Sequence, residues 1–277
     1  MKYTTMALLV CLGLSGCGPS KVSEETAAFT PPSNVAVEPD NHQLTVSWDS
    51  YRRGTIAGYN IYITEFPLVE SYRGINLPDS IEPYNDVPFP GDTEPEDERE
   101  NFVADGLENG VKYFVSVRVV YPNGGLSRPS EERMAVCGPR GVIELGQRFR
   151  SEHDGYSFEK LEYVAADDGD NDIYFFSKDG VDYLCSPTRL DAFLRGTNLA
   201  ILPYKGSFDQ VRTEVEMPEW KLFGDRVRVS ENDWVLMRTP DDAYALIKVL
   251  HLTGAEKNRR VELFYFFVPS KTGELLL

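Results

Sequence analysis

The stretch that most limits what this chain can fold into runs from Leu107 to Val120: Leu-Glu-Asn-Gly-Val-Lys-Tyr-Phe-Val-Ser-Val-Arg-Val-Val. From Val111 the residues alternate, with Val111, Tyr113, Val115, Val117 and Val119 on one face and Lys112, Ser116 and Arg118 on the other. A period of two specifies a half-buried antiparallel strand, because successive side chains of an extended backbone point to opposite faces. Leu107, Gly110 and Tyr113 stand at the spacing of a tight corner feeding that strand. The chain has 277 residues, with 15 Tyr and 15 Phe, so its composition leans all-β and its length allows two separate cores.

Other segments follow the same period. Val35 to Glu38 reads as a short first strand, Leu44 to Trp48 alternates and ends in Trp, and Gly58 to Ile63 places Tyr59 and Ile61 inward. With the closing segment Gly125 to Ser130, these strands and the Leu-x-x-Gly-x-x-Tyr corner resemble a fibronectin type III domain over residues 33–138. The resemblance implies a β-sandwich in which Tyr113 buries its ring and ties its hydroxyl to nearby backbone. It also makes Trp48 and Tyr59 core packing and not a binding platform. The loop Tyr121 to Gly125 contains Asn-Gly, a hairpin signal, and lacks the Arg-Gly-Asp of integrin-binding members.

Between Ile63 and Phe102 the connection is longer than that resemblance requires. Residues 66–100 are rich in proline and contain the acidic run Asp92 to Glu98. A loop of this length is either functional or poorly ordered, and its apolar members Ile75, Leu77, Ile81, Tyr84, Val87 and Phe89 are expected to fold back on the sandwich. The acidic run lacks the ligand spacing of a calcium loop and reads as a solvated face.

At the N-terminus, Lys2 precedes an apolar segment, Met6 to Leu14, too short to span a bilayer. Leu14-Ser-Gly-Cys17 then resembles the lipobox of bacterial lipoproteins. That resemblance implies a signal peptide over residues 1–16, cleavage before Cys17, acylation of Cys17, and membrane association through the lipid. Residues 17–32 then form a polar tether. Gly18 stands where an inner-membrane retention signal would have Asp, so the expected location is the outer membrane. Removing residues 1–16 takes away one Lys and no acid, moving the formal charge from −16 to −17. Such a surface disfavours nucleic acid and anionic lipid headgroups.

Of four cysteines, Cys11 leaves with the signal and Cys17 takes lipid. Cys137 and Cys185 remain in a compartment that permits disulfides. A bridge between them would join the two domains, closing a loop of about 48 residues and stabilising by about 4 kcal/mol in the chain-entropy account. The alternative is two buried free thiols.

Cys137-Gly-Pro-Arg-Gly141 is a compact boundary, so the domains are expected to touch. The second domain, 141–277, reads as β-rich, with strands at 142–149, 157–165, 172–176, 182–185, 198–202, 227–229, 233–238, 244–251 and 261–268. Turns fall at Asp179-Gly180, Pro240 to Asp242 and Gly254 to Arg260, and apolar spacing of three and four gives one helix over 187–195. The expected fold class is all-β, a fibronectin type III sandwich followed by a second antiparallel β-rich domain with one short helix.

No catalytic motif for nucleophilic or metallohydrolase chemistry occurs. Asp168, Asp170 and Asp172 alternate as the first ligands of an EF-hand do, but Ile173 replaces the turn Gly and Asp179 the final Glu. They are calcium candidates that a charged hairpin explains better. Arg195 to Asn198, Phe208 to Val211, Val235 to Thr239 and Ala243 to Val249 resemble parts of the HmuY-like haemophore lipoproteins. That resemblance implies a β-rich, lipid-anchored domain and, through two axial His, haem binding. His153 and His251 are the haem candidates, and neither aligns with an axial-ligand motif. The expected function is therefore a non-enzymatic, lipid-anchored binding or scaffold protein with a protein or carbohydrate partner. Haem capture and a carbohydrate-active enzyme with an accessory module are the alternatives.

Overall fold

In a computed structural model, residues 30–50, 56–71, 81–90, 98–150 and 153–269 are described. The protein is all-β, and the expected alternation is realised strand by strand. β1 (Ala36–Asp40), β2 (Gln43–Asp49) and β4 (Arg99–Asp105) form one antiparallel sheet in the order β1-β2-β4. β3 (Gly58–Thr64), β5 (Lys112–Val120) and β6 (Arg133–Val136) form the sheet that faces it, in the order β3-β5-β6. Leu44, Val46 and Trp48 point inward from β2 to meet Tyr59, Ile61, Val115, Val117 and Val119. Trp48 packs edge-on against Tyr59 with ring centroids 5.0 Å apart, so both are core, as the sequence suggests. Tyr113 lies in the same core, and its hydroxyl accepts from the backbone N–H of Glu108.

The long insertion closes an open side of this sandwich. A single turn of helix, α1 (Leu68–Ser71), is held at its start by the Glu132 carboxylate, which accepts from Leu68 and Val69 N–H at 2.8 and 3.0 Å. Leu68 packs with Tyr62 and Ile81. Farther on, the Asn85 side chain accepts from Ile61 N–H and donates to the Tyr59 carbonyl. Tyr59 and Phe89 exchange two backbone hydrogen bonds of 2.8 Å. The edge of β3 is thereby paired, and the Tyr84 hydroxyl reaches the Asp105 carbonyl at the end of β4. Ile81, Tyr84 and Phe89 fold back as expected. Val87 does not, being 72% exposed, and Ile75 and Leu77 lie outside the described residues.

Ten strands make the second sandwich. β7 (Arg140–Gly146), β12 (Asn198–Leu202), β14 (Trp234–Arg238), β15 (Tyr244–Thr253) and β16 (Arg260–Val268) form a sheet in the order β12-β14-β15-β16-β7. Opposite it stand β8 (Gly155–Ser157), β9 (Glu162–Val164), β10 (Ile173–Lys178), β11 (Val181–Cys185) and β13 (Arg226–Arg228), in the order β13-β11-β10-β8-β9. Leu145, Phe175, Leu184, Val235, Met237, Ile247 and Leu263 fill the space between the sheets. The outer face of the first sheet carries Trp234, Leu236, Leu246 and Phe266, which pack against Val211 of a short helix, α2 (Phe208–Glu214).

Two expectations fail here. Residues 187–195 are not a helix. They form a 3-10 turn over Pro187–Arg189 and then a loop, because Ser186 supplies no side-chain cap and Arg195 is drawn to Asp172 at 2.6 Å. The helix is α2 instead, whose Ser207 hydroxyl accepts from Gln210 N–H. The expected strand 157–165 is a hairpin. Leu161 takes a positive φ of 57° and reverses the chain, so Ser157 pairs with Glu162.

The two sandwiches abut without a linker. Val136, the last residue of β6, packs in the cluster of Phe266 and Val268, and Phe267 N–H donates to the Pro139 carbonyl at 2.8 Å. Gly138 has no room for a side chain, since a Cβ there would lie 2.2 Å from the Phe267 carbonyl oxygen. Arg140 reaches back to Glu38 and Asp40 at 3.3 and 3.7 Å. The chain enters the first sandwich at its opposite end, where Asp49 N–H donates to the Ser33 carbonyl. From the junction, β16 runs nine residues back to Arg260, about 30 Å at the rise of an antiparallel strand.

Candidate functional site

Several residues singled out in the sequence have structural roles. Asp172 is buried and holds Arg195 at 2.6 Å through one oxygen and Phe158 N–H at 2.8 Å through the other. Burial raises its carboxyl above the ordinary range, against the pull of these two partners. Asp170 pairs with Lys160, and Asp168 accepts from Asp170 N–H. Asn171, fully buried between them, accepts from Tyr156 and Ile173 N–H and donates to the Ala166 carbonyl. The three aspartates therefore belong to a connection that passes from β9 to β10 across β8, so the expected charged hairpin is not formed, and the three do not converge. Among the described residues no group of three His, Cys, Asp or Glu is placed to hold a metal ion. Most of the acidic run at 92–98 lies outside the described residues, as does Cys17.

The histidines are equally separate. His251 is exposed on β15, 3.9 Å from Glu262 of β16, which pairs in turn with Glu144 of β7. His153 stacks on Tyr163 with centroids 4.0 Å apart, and its carbonyl accepts from Gly146 N–H at the outer edge of β7. Two strand spacings, about 10 Å, already lie between His251 and β7. The two imidazoles are engaged separately, His153 by Tyr163 and His251 by Glu262, and the structure does not bring them together as a pair of axial ligands.

The bridge between Cys137 and Cys185 does not form. Both cysteines are free and buried, Cys137 in the first core and Cys185 beside Tyr174 and Ala166 in the second sandwich. Burial pushes their thiols up to about 12 and about 11 respectively, which keeps them protonated and inert at neutral pH.

What the structure assembles instead is a cleft of about 790 Å³ at the free end of the second sandwich, away from the junction. Three turns converge on it. The β10–β11 hairpin turns through Asp179 and Gly180, both at positive φ (54° and 75°), with Lys178 and Val181 paired beneath them. The β15–β16 turn begins at Gly254, where φ is 69° and a Cβ would lie 2.1 Å from the Asn258 carbonyl oxygen. The third is the turn Gln147 to Arg150, which ends β7.

Two side chains lock these turns to one another. The Gln147 amide accepts from Ser177 N–H at 2.7 Å and donates to the Ser177 carbonyl at 3.0 Å, fastening the end of β7 to β10. Arg259 meets both oxygens of the buried Asp182 at 2.7 and 3.2 Å while donating to the Leu252 and Gly254 carbonyls. This fork ties the β15–β16 turn to β11. The cleft is therefore shaped before anything occupies it. Its lining holds four cations, Arg150, Lys178, Lys257 and Arg259, against two carboxylates, Asp179 and Glu256. The sequence marks the turns at Asp179-Gly180 and Gly254 to Arg260, but gives no sign that they meet Arg150 in space.

No curated protein matches the chain by sequence. Among solved structures, one described as a myokine is 19% identical over 40% of this chain and 99% of its own length, with a TM-score of 0.26. A family 28 exopolygalacturonase from Yersinia enterocolitica is 16% identical over 40% of this chain and 21% of its own length, at 0.26. The twitchin kinase region from C. elegans is 11% identical over 86% of this chain and 39% of its own length, also at 0.26. The family model of the fibronectin type III domain matches residues 30–135. Together with the corner at Tyr113 and the two facing sheets, that match makes the N-terminal sandwich a fibronectin type III domain.

Proposed function

We propose that the protein is a lipid-anchored, non-enzymatic binding and scaffold protein of the cell envelope, held at the outer membrane through acylated Cys17. In this reading the fibronectin type III domain is a rigid spacer and the second domain carries the binding cleft. The observation that supports it is the polarity of the molecule. The chain enters one end of the first sandwich, and the cleft opens at the far end of the second, with a tight junction between. A carbohydrate-active enzyme has less support, because that chemistry takes one carboxyl group buried enough to stay protonated, while Asp179 and Glu256 are both exposed. The HmuY-like resemblance bears on anchoring and lineage in this reading and not on haem.

The test is the anchor. Cys17→Ala should move the protein from the washed membrane fraction to the soluble one, while the wild type remains behind. A variant that stays membrane-bound sinks the reading.

A further inference from the structure

We infer that the cleft at the free end of the second domain takes a small solute carrying two or more oxyanion groups. This rests on the cleft being the binding site of the preceding reading, and it names the ligand chemistry.

Charge is the first ground. The chain has 44 acidic and 28 basic residues, yet the cleft lining reverses that balance. Partnering is the second. Elsewhere in the second domain most cations have a partner: Lys160 pairs with Asp170, Arg189 with Asp225, Arg195 with Asp172 and Asp241, Lys205 with Asp233 and Arg260 with Glu144, while Arg148, Arg226 and Lys248 lie over aromatic rings. In the cleft only Arg259 is neutralised, by Asp182. Among the described residues Arg150, Lys178 and Lys257 have no ion pair, although Asp179 and Glu256 share the lining with them. Three unpaired cations against two carboxylates leave the lining net positive, and an anion placed among the cations neutralises that excess.

Geometry sets the valency. Each free cation stands on a different turn, and the turns are fixed by Gln147 and Arg259. One monovalent ion can meet one of them closely. A solute with two or three oxyanions on a common body can meet several at once without any turn moving. A volume of about 790 Å³ suits such a body, since clefts for small organic ligands run from about 300 to 1,000 Å³. Asp179 and Glu256 in the same lining would then discriminate against over-large anionic ligands.

Titration calorimetry on the purified full chain in detergent tests this, with citrate, inorganic pyrophosphate and inorganic phosphate as probes. Citrate or pyrophosphate should bind one to one, with phosphate about tenfold weaker or more because it meets fewer cations. Lys178→Glu and Lys257→Glu should each weaken binding about tenfold or more, as reversing a facing charge does. Lys257→Arg should retain binding, and Glu256→Gln should tighten it. The last change removes a charge without adding bulk and keeps the inference testable if a reversal disturbs folding. No saturable binding of either polyanion, or binding indifferent to both reversals, overturns the inference. Since membrane retention is read separately through Cys17, that failure would leave the anchored reading standing.

Discussion

The Tyr113 hydroxyl accepts a hydrogen bond of 2.9 Å from the backbone N–H of Glu108, five residues before it. The bond fixes the corner at which the chain crosses between sheets, and the ring beneath it is part of the core. Tyr113→Phe keeps the ring and leaves the Glu108 N–H without this partner, so it should cost about 1–2 kcal/mol. Tyr113→Ala also opens a cavity and should cost about 3–5 kcal/mol. Urea unfolding of the two variants checks this, and equal small effects would contradict it.

Both remaining thiols should be unreactive in the native protein and fully reactive once it is unfolded. Cys137 donates to the Gln43 carbonyl and Cys185 lies beside Tyr174, each in its own buried cluster. Alkylation of unreduced protein isolated from its own compartment, followed by mass spectrometry, should label neither before denaturation and both after. Protection that persists in denaturant would mean that a bridge has formed.

Arg195 neutralises a buried carboxylate, so its loss should be felt as a pH-dependent loss of stability. Arg195→Ala leaves Asp172 buried without its partner and should cost about 3 kcal/mol at neutral pH. Burial already raises the Asp172 carboxyl in the folded state, so the native protein binds that proton more tightly than the unfolded chain. Stability therefore falls as pH rises from the unfolded value of about 3.9 through the raised folded one. Without Arg195 the folded value rises further and the fall extends to higher pH. Denaturation at several pH values between 4 and 7 should show the deficit of the variant growing with pH, and a constant deficit would refute the argument.

Gly110→Ala tests the junction. Gly110 has a φ of +78°, and a Cβ there would lie 1.8 Å from the Pro269 carbonyl oxygen. Backbone strain and this overlap should cost about 1–3 kcal/mol and loosen the packing of the two sandwiches. Calorimetry should show one shared unfolding transition becoming two. A variant that melts as the wild type does would show that the contact carries no coupling.

The strands were legible because alternation over five to nine residues is a strong signal, and β12 falls on its expected residues. The Tyr113 corner was legible for a similar reason, since three residue types at fixed spacing are hard to meet by accident. The helix was misplaced because apolar spacing over 187–195 imitates it. Ser207 and Gln210 stand three apart as a helix-start signature, and their bond marks the true site. The β8–β9 hairpin was hidden because Leu161 occupies a left-handed position without Gly, Asn or Pro nearby. The cleft was beyond reach for a different reason. It is assembled from three turns, the first and last of them more than a hundred residues apart, which the pairing of β16 with β7 and the side chains of Gln147 and Arg259 bring together.

The polarity of the molecule has a mechanical side. β1 starts at the end where the chain enters and runs toward the junction, paired along its whole length with β2. β16 continues from the junction toward the cleft, paired on both flanks with β15 and β7. Tension between the N-terminal segment and something gripped in the cleft thus acts along the strands, not across them. It loads many hydrogen bonds in shear at the same moment and does not peel them open in sequence. Resistance to such a pull is then set by the rate at which whole ladders give way and not by the equilibrium stability of the fold.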